Sequence, residues 1–258
     1  MRKRWLIPIM LLALAGGAGW WLRAPLTALW QTTAGGVELG FRQKLQPDPQ
    51  TYAVLAKDLK RWRTDLAARY KRATNATERT AVEGDARIIL ENALPAMMRC
   101  WLGTPWDFNG TAKAPGEGKI ACGYFVATVL QDAGFRVDRY QLAQQASGNI
   151  MQSFLAKNAC VLTVGEDYLA FCSRVEKGEP GIYVVGLDTH VAFLVVGGGE
   201  GFRFIHSSGS RPWCVVAESG AEATVLQRSK WRMLGNLTAD RAVLKRWLTG
   251  EKIVVRGA

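Results

Sequence analysis

Three short runs of β-branched and aromatic residues, set close together, most restrict how this chain can fold. Gly181-Ile-Tyr-Val-Val-Gly-Leu187, His190-Val-Ala-Phe-Leu-Val-Val196 and Phe202-Arg-Phe-Ile-His206 have the composition of strands. Only Gly197-Gly-Gly-Glu-Gly201 separates the last two, too short for the dozen or so residues that a parallel crossover needs. Adjacent antiparallel strands are therefore expected. Residues 213–217 and 253–256 are candidates for further strands, and 237–248 for a late helix.

Upstream the period is helical. Tyr52, Leu55, Leu59, Trp62 and Leu66 recur at three and four, with Lys57, Lys60, Arg61, Arg63 and Arg69 between them. This is an amphipathic basic helix. Its basic side is either a solvated face or a dock for an anionic surface. A second helix is expected over about 80–102, with Ile89, Ala93, Met97 and Trp101 on one face and Pro95 as a kink or restart. Residues 103–119 are rich in glycine and proline and are expected as an irregular loop bearing Trp106, Asp107 and Asn109. An apolar helix then follows over 121–133, closed by Gly134, and Cys122 falls at its N-terminus. No internal repeat is evident. The whole is an α+β chain in which a cysteine-bearing helix precedes an antiparallel sheet.

The first residues carry a different signal. Arg2-Lys3-Arg4 followed by the apolar run 5–22 is the basic and apolar pattern of an export segment. The run is slightly short of the roughly 20 residues of a membrane-spanning helix, so a cleaved signal peptide and a membrane anchor both fit. The expected location is the periplasm, or the inner membrane through that anchor. The expected division is 1–22 signal or anchor, 23–76 connector and basic helix, and 77–258 catalytic domain.

Composition narrows the chemistry only in part. The chain has 258 residues, 48% of them hydrophobic, and a formal charge of +11. It can build a sizeable core, and it favours anionic surroundings. Five cysteines in an oxidising compartment could form two disulfides and leave one thiol, in a pairing that spacing does not give. No glycine-rich phosphate loop sits between a strand and a helix, so nucleotide chemistry is not expected.

The chain has only two histidines, and both lie on the expected sheet. If the strands pair about the glycine-rich turn, His190 and His206 sit roughly opposite each other, near one end. A helix N-terminus aimed at the same place would favour the Cys122 thiolate and lower its pKa from about 8.5. Nucleophile, base and orienting group are then all present. A zinc site from one cysteine and two histidines is a weaker alternative, because no short ligand pair such as CxxC or HxxxH occurs. No metal or cofactor is expected.

Gly103-Thr-Pro-Trp-Asp-Phe-Asn-Gly110, Ala121-Cys122-Gly123-Tyr-Phe-Val, His190-Val-Ala-Phe and Ile205-His206-Ser-Ser-Gly209, in that order, resemble the NlpC/P60 family of papain-like cell-wall peptidases. The resemblance covers roughly 80–215. It implies a papain-like NlpC/P60 fold, with the nucleophile helix packed on an antiparallel sheet and a helical extension before it. It also implies Cys122 as nucleophile, His190 as base and His206 as the residue that orients the base. Trp106 stands where the family has a loop aromatic, and Trp106, Asp107 and Asn109 are the expected substrate-binding residues.

One departure stands out. The family has Asp-Cys-Ser around the nucleophile, and this chain has Ala121-Cys122-Gly123. Asp107 and Asp188 are the candidates for the missing carboxylate. The expected function is amide hydrolysis by an acyl-enzyme route, with peptidoglycan stem peptides or another envelope amide as substrate. The alternatives are a papain-like acyl hydrolase or acyltransferase acting on membrane lipid or a lipidated substrate, and a catalytically idle envelope scaffold. An anionic membrane surface is the second partner considered; nucleic acid is not expected.

Overall fold

The computed structural model describes residues 45–197 and 201–258. The expected export segment and the first part of the connector lie outside the described residues. Residues Lys44–Ala258 form one compact unit. Among the described residues, no helix is long and apolar enough to cross a membrane.

Helix α1 (Pro49–Arg72) starts where local chemistry dictates. Asp48 accepts the Thr51 amide at 2.9 Å, and Pro49 occupies the first helical position, where a missing N–H costs nothing. Its buried side chains are Tyr52, Leu55, Leu59 and Leu66, the stripe expected from the spacing, while Trp62 is only half-buried. Helix α2 (Ala76–Cys100) is capped by Asn75, which accepts the Glu78 amide at 2.9 Å, and Glu78 reaches back to the Thr74 amide at 2.7 Å. It does not restart at Pro95, which lies buried inside one continuous helix.

Helix α3 (Cys122–Asp132) is followed by two short helices, α4 (Arg139–Ala143) and α5 (Ser147–Phe154). Strand β1 (Val161–Val164) and helix α6 (Tyr168–Glu176) lead into strands β2 (Gly181–Leu187), β3 (Val191–Val196), β4 (Phe202–Ser207) and β5 (Val215–Ser219). Helix α7 (Thr224–Arg228), strand β6 (Trp231–Asn236) and helix α8 (Arg241–Thr249) complete the chain. The fold is α+β: a six-stranded sheet of order β1-β6-β2-β3-β4-β5, antiparallel throughout, with helices on both faces.

Both faces of its centre are covered. Ala192, Leu194, Val196, Phe202 and Phe204 join Phe171 and Val175 of α6 and Leu226 of α7 in one core. On the other face Phe193 meets Phe125 of α3 at 5.9 Å between ring centroids. Edge-to-face contacts continue from Phe125 to Trp101 at 6.1 Å and from Trp101 to Tyr52 at 5.6 Å. Such pairs contribute about 0.5–1.5 kcal/mol each beyond area burial. They tie α1, the end of α2, α3 and β3 into one body, and Tyr52 adds a 2.8 Å hydrogen bond to Asp132 at the end of α3. The basic helix expected within an appendage is thus packed into that body.

Three local expectations are corrected. The strand expected at 213–217 is Val215–Ser219, because Trp213 has a φ of 59°, incompatible with extended backbone. The helix expected at 237–248 begins only at Arg241, where Asp240 accepts the Ala242 and Val243 amides at 2.8 and 3.0 Å. Residues 253–256 form no strand; an isolated bridge pairs Arg136 with Lys252, and Ile253 N donates to Arg136 O at 2.8 Å.

Candidate active site

Cys122 is the first residue of α3, and its N-cap, Ala121, offers no side-chain acceptor. The first-turn amides therefore lack the side-chain cap that serine or aspartate would supply. The backbone N–H groups of Val191, Gly123 and Cys122 itself act on the sulfur and favour its thiolate, but burial outweighs them and raises the thiol above its ordinary pKa. The expected lowering is thus reversed, because desolvation penalises the charged form more than a helix start rewards it.

Glycine at 123 has a steric reason. A Cβ there would lie well inside van der Waals contact with the Ala143 carbonyl oxygen. The serine usual in the resembled family would not fit beneath α4.

His190 closes the connection between β2 and β3, and its carbonyl accepts the Leu187 amide at 2.8 Å. Asp188 anchors the same connection. Its carboxylate accepts Ser229 Oγ at 3.1 Å and the Lys230 and Trp231 amides at 2.9 and 3.1 Å, which hold it below its ordinary pKa. Asp188 therefore positions the loop, with three hydrogen bonds already on its carboxylate.

The β3–β4 ladder pairs Val196 with Phe202 and Phe193 with Ile205. Continued one step, it sets His206 opposite Ala192, two residues away from the register that would place the histidines face to face. A slip of two keeps both side chains on one face, so the rings still meet, with His190 Nε2 2.8 Å from His206 Nδ1. His206 is fully buried, and its Nε2 lies 3.1 Å from Oε2 of Glu218 on β5. Burial, reinforced by His206, holds His190 well below its usual pKa, and burial takes His206 down to about 3. Glu218 is pushed up to about 7 by burial and by the neighbouring Glu222.

Sequence reasoning missed Glu218. Its one signal is an acidic residue in the apolar run Val215-Val-Ala-Glu-Ser219, on a strand that pairs with the one carrying His206.

Cys122 and His190 both line two adjoining hollows. One, of about 760 Å³, also holds Trp106, Asn109, Gln144 and Ser210, and none of its lining residues is charged. The other, of about 460 Å³, holds Gln145, Asn149, Gln152 and Trp231, and its one charged residue is Asp188. Trp106 lies against the backbone of Gly209, where a Cβ would come within 3.0 Å of Cζ2, and packs on Trp213 at 5.6 Å. Asn109 lines the first hollow. Asp107 does not line it: its carboxylate accepts the Asn109 amide at 2.9 Å and Lys119 Nζ at 3.2 Å in a separate surface hollow.

Among the described residues, no group of three or more His, Cys, Asp or Glu is arranged to hold a metal ion. Both ring nitrogens of His206 and one of His190 are engaged with each other and with Glu218, which disfavours the zinc alternative. All five cysteines are unpaired. No protein family, curated protein or solved structure matches this chain.

Proposed function

We propose that this chain is an exported cysteine hydrolase of papain-like, NlpC/P60-like architecture that cleaves amide bonds, with peptidoglycan stem peptides as its substrate. The observation that carries the reading is that His190 lines the same cleft as a cysteine at the start of α3 and is hydrogen-bonded from behind by the buried His206. Because Nε2 of His190 is committed to His206, Nδ1 is the nitrogen left to act as base.

The chemistry then runs as acyl transfer. The Cys122 sulfur attacks the carbonyl carbon while its proton passes to His190 Nδ1. The oxyanion forms beside the first turn of α3, whose amides carry partial positive charge. His190 returns the proton to the departing amine. Water, deprotonated by His190, then hydrolyses the thioester and frees Cys122. On this reading the resting pair is a neutral thiol and a neutral imidazole, in keeping with the two opposite pKa shifts. The uncharged cleft beside Trp106 suits a substrate segment with no charge next to the scissile bond, in keeping with Ala121 and Gly123 in place of Asp and Ser.

The exposed Lys57, Lys60 and Arg61 of α1 favour a second reading, an acyl hydrolase acting at an anionic lipid surface. One experiment separates the two. The full chain and its Cys122→Ala variant are incubated with purified sacculi and, separately, with anionic phospholipid vesicles. Cysteine-dependent release of peptides supports the proposal; release of fatty acids alone overturns it in favour of the lipid reading, and release of neither overturns both.

A further inference from the structure

The three groups beyond Cys122 form a line in which every nitrogen but one has a partner. Glu218 Oε2 meets His206 Nε2 at 3.1 Å, and His206 Nδ1 meets His190 Nε2 at 2.8 Å. The remaining atom, His190 Nδ1, is the one that the proposed hydrolysis uses. A hydrogen bond needs one donor and one acceptor, so a choice at one end of such a line propagates to the other.

We propose that Glu218 is a positioning residue that acts through His206 to decide whether Nδ1 of His190 is bare or carries a proton. This rests on the cysteine hydrolase reading of the site and adds to it a control on the base. With Glu218 as carboxylate, His206 must donate from Nε2 and accept at Nδ1. His190 must then donate from Nε2, and its Nδ1 is a bare lone pair able to take the thiol proton. With Glu218 protonated, the acid donates to His206 Nε2, His206 donates from Nδ1 to His190 Nε2, and Nδ1 of His190 holds the proton. The second state contains one proton more than the first, taken from solvent by Glu218, and in it the base is blocked.

Several features make the line two-state. Both imidazoles are held neutral by burial across the ordinary pH range, so the tautomer changes and the ring charge does not. His206 is fully buried and packs on Phe204 at 4.3 Å between centroids, which keeps its ring from turning to solvent. The groups that bear on Glu218 are His206 from β4, Glu222 from the turn after β5 and Tyr168 from α6. Glu222 is kept as a carboxylate by the Ser219 amide and hydroxyl at 2.9 and 2.7 Å. Tyr168 donates to the Gly220 carbonyl at 2.6 Å. Arg203 acts on Glu222, and Arg232 on Tyr168.

The test reads the tautomers directly and needs no substrate. Two histidines in the chain give two imidazole spin systems. The full chain is labelled with ¹⁵N-histidine, the rings are assigned with His206→Gln, and long-range ¹H–¹⁵N correlations are followed from about pH 5 to about pH 9. The expected result at high pH is a proton on Nε2 of both rings. On acidification both should switch to Nδ1 together, near neutrality, without either becoming imidazolium. Glu218→Gln should abolish this joint switch. Tautomers independent of pH in the wild type, or the same pH response in a folded Glu218→Gln protein, overturn the proposal. If Glu218→Gln does not fold, the wild-type titration alone decides. A missing peptidase activity would count against the hydrolase reading and leave this readout untouched.

Discussion

His190 and His206 meet through ring nitrogens 2.8 Å apart although the strand ladder sets His206 opposite Ala192. The contact is diagonal, with His190 standing at the mouth of the cleft and His206 behind it in the core. Their loss should differ accordingly. His190→Ala removes the proton acceptor and should lower kcat/KM by about 10²–10⁴-fold. His206→Gln keeps a hydrogen-bonding side chain and should leave partial activity, with a stability loss of about 1–3 kcal/mol because a flexible amide replaces a fully buried ring packed on Phe204. Peptide release and thermal unfolding measure the two effects. Equal loss of activity in both variants would assign His206 a direct catalytic or structural role.

Cys122→Ala should abolish turnover and leave the fold intact. The side chain opens onto a cleft, so its truncation creates little cavity, and the expected stability change is within about 1 kcal/mol. Activity retained in a folded Cys122→Ala protein would end the cysteine mechanism.

The labelling behaviour of Cys122 should be that of a thiol above its ordinary pKa. Its alkylation rate should rise about tenfold per pH unit through neutrality, with no plateau at acid pH, since thiolate is the reactive species. Timed iodoacetamide labelling with peptide mass mapping supplies the curve. A plateau below about pH 6 would mean a standing thiolate–imidazolium pair, opposite to the neutral pair described above. Cys100, whose thiol burial raises to about 11, should label last.

Gly123→Ala should be more damaging than its size suggests. The added methyl meets the carbonyl oxygen of Ala143, which is backbone and cannot swing aside, so α3 or α4 must shift. A cost of about 1–3 kcal/mol is expected, with a fall in kcat because Cys122 sits next to the disturbed residue. Wild-type melting and turnover in Gly123→Ala would show that the two helices have slack that the contact denies.

Acid should weaken the fold through the two histidines. Their folded pKa values lie below the unfolded value of about 6.5, so below that pH the unfolded chain binds more protons, and stability falls as pH drops. For His206 the loss should continue down to about 3. Glu218 works in the opposite sense. Raised to about 7, it gains a proton on folding, and its contribution is fullest below the unfolded carboxyl range and declines as pH rises toward 7. In Glu218→Gln, melting temperature should therefore drop more steeply between about pH 6.5 and pH 4.5 than in the wild type. Parallel curves for the two proteins would contradict the assigned shifts.

What was legible in the residues was the part written in period and composition. The β2, β3 and β4 runs are continuous in apolar residues because helices cover both faces, and the α1 stripe and the start of α3 at Cys122 follow the same logic. Strand β6 escaped because Arg232, its second residue, is buried with its guanidinium donating to the carbonyls of Leu226, Glu166 and Gln227 at 2.9, 3.1 and 2.8 Å; charge on a strand ordinarily reads as solvent face. The caps Asp138 and Asp167, which accept first-turn amides of α4 and α6, were readable signals passed over. Asp107 and Glu218 could not be sorted by sequence, since a turn-forming carboxylate and a histidine partner are the same residue type until register places them.

The cleft beside Trp106 has no charged lining, while the chain as a whole carries a formal +11. Ionic strength should therefore act on capture and leave the chemical step alone. Added salt screens long-range attraction to a polyanion within about 10 Å at 0.1 M, so the apparent KM on intact sacculi should climb with salt. A short neutral peptide should show no such dependence, and kcat on either substrate should stay flat. On the proposed reading the work is divided between a basic exterior that would find the polymer and a neutral groove that would select the bond.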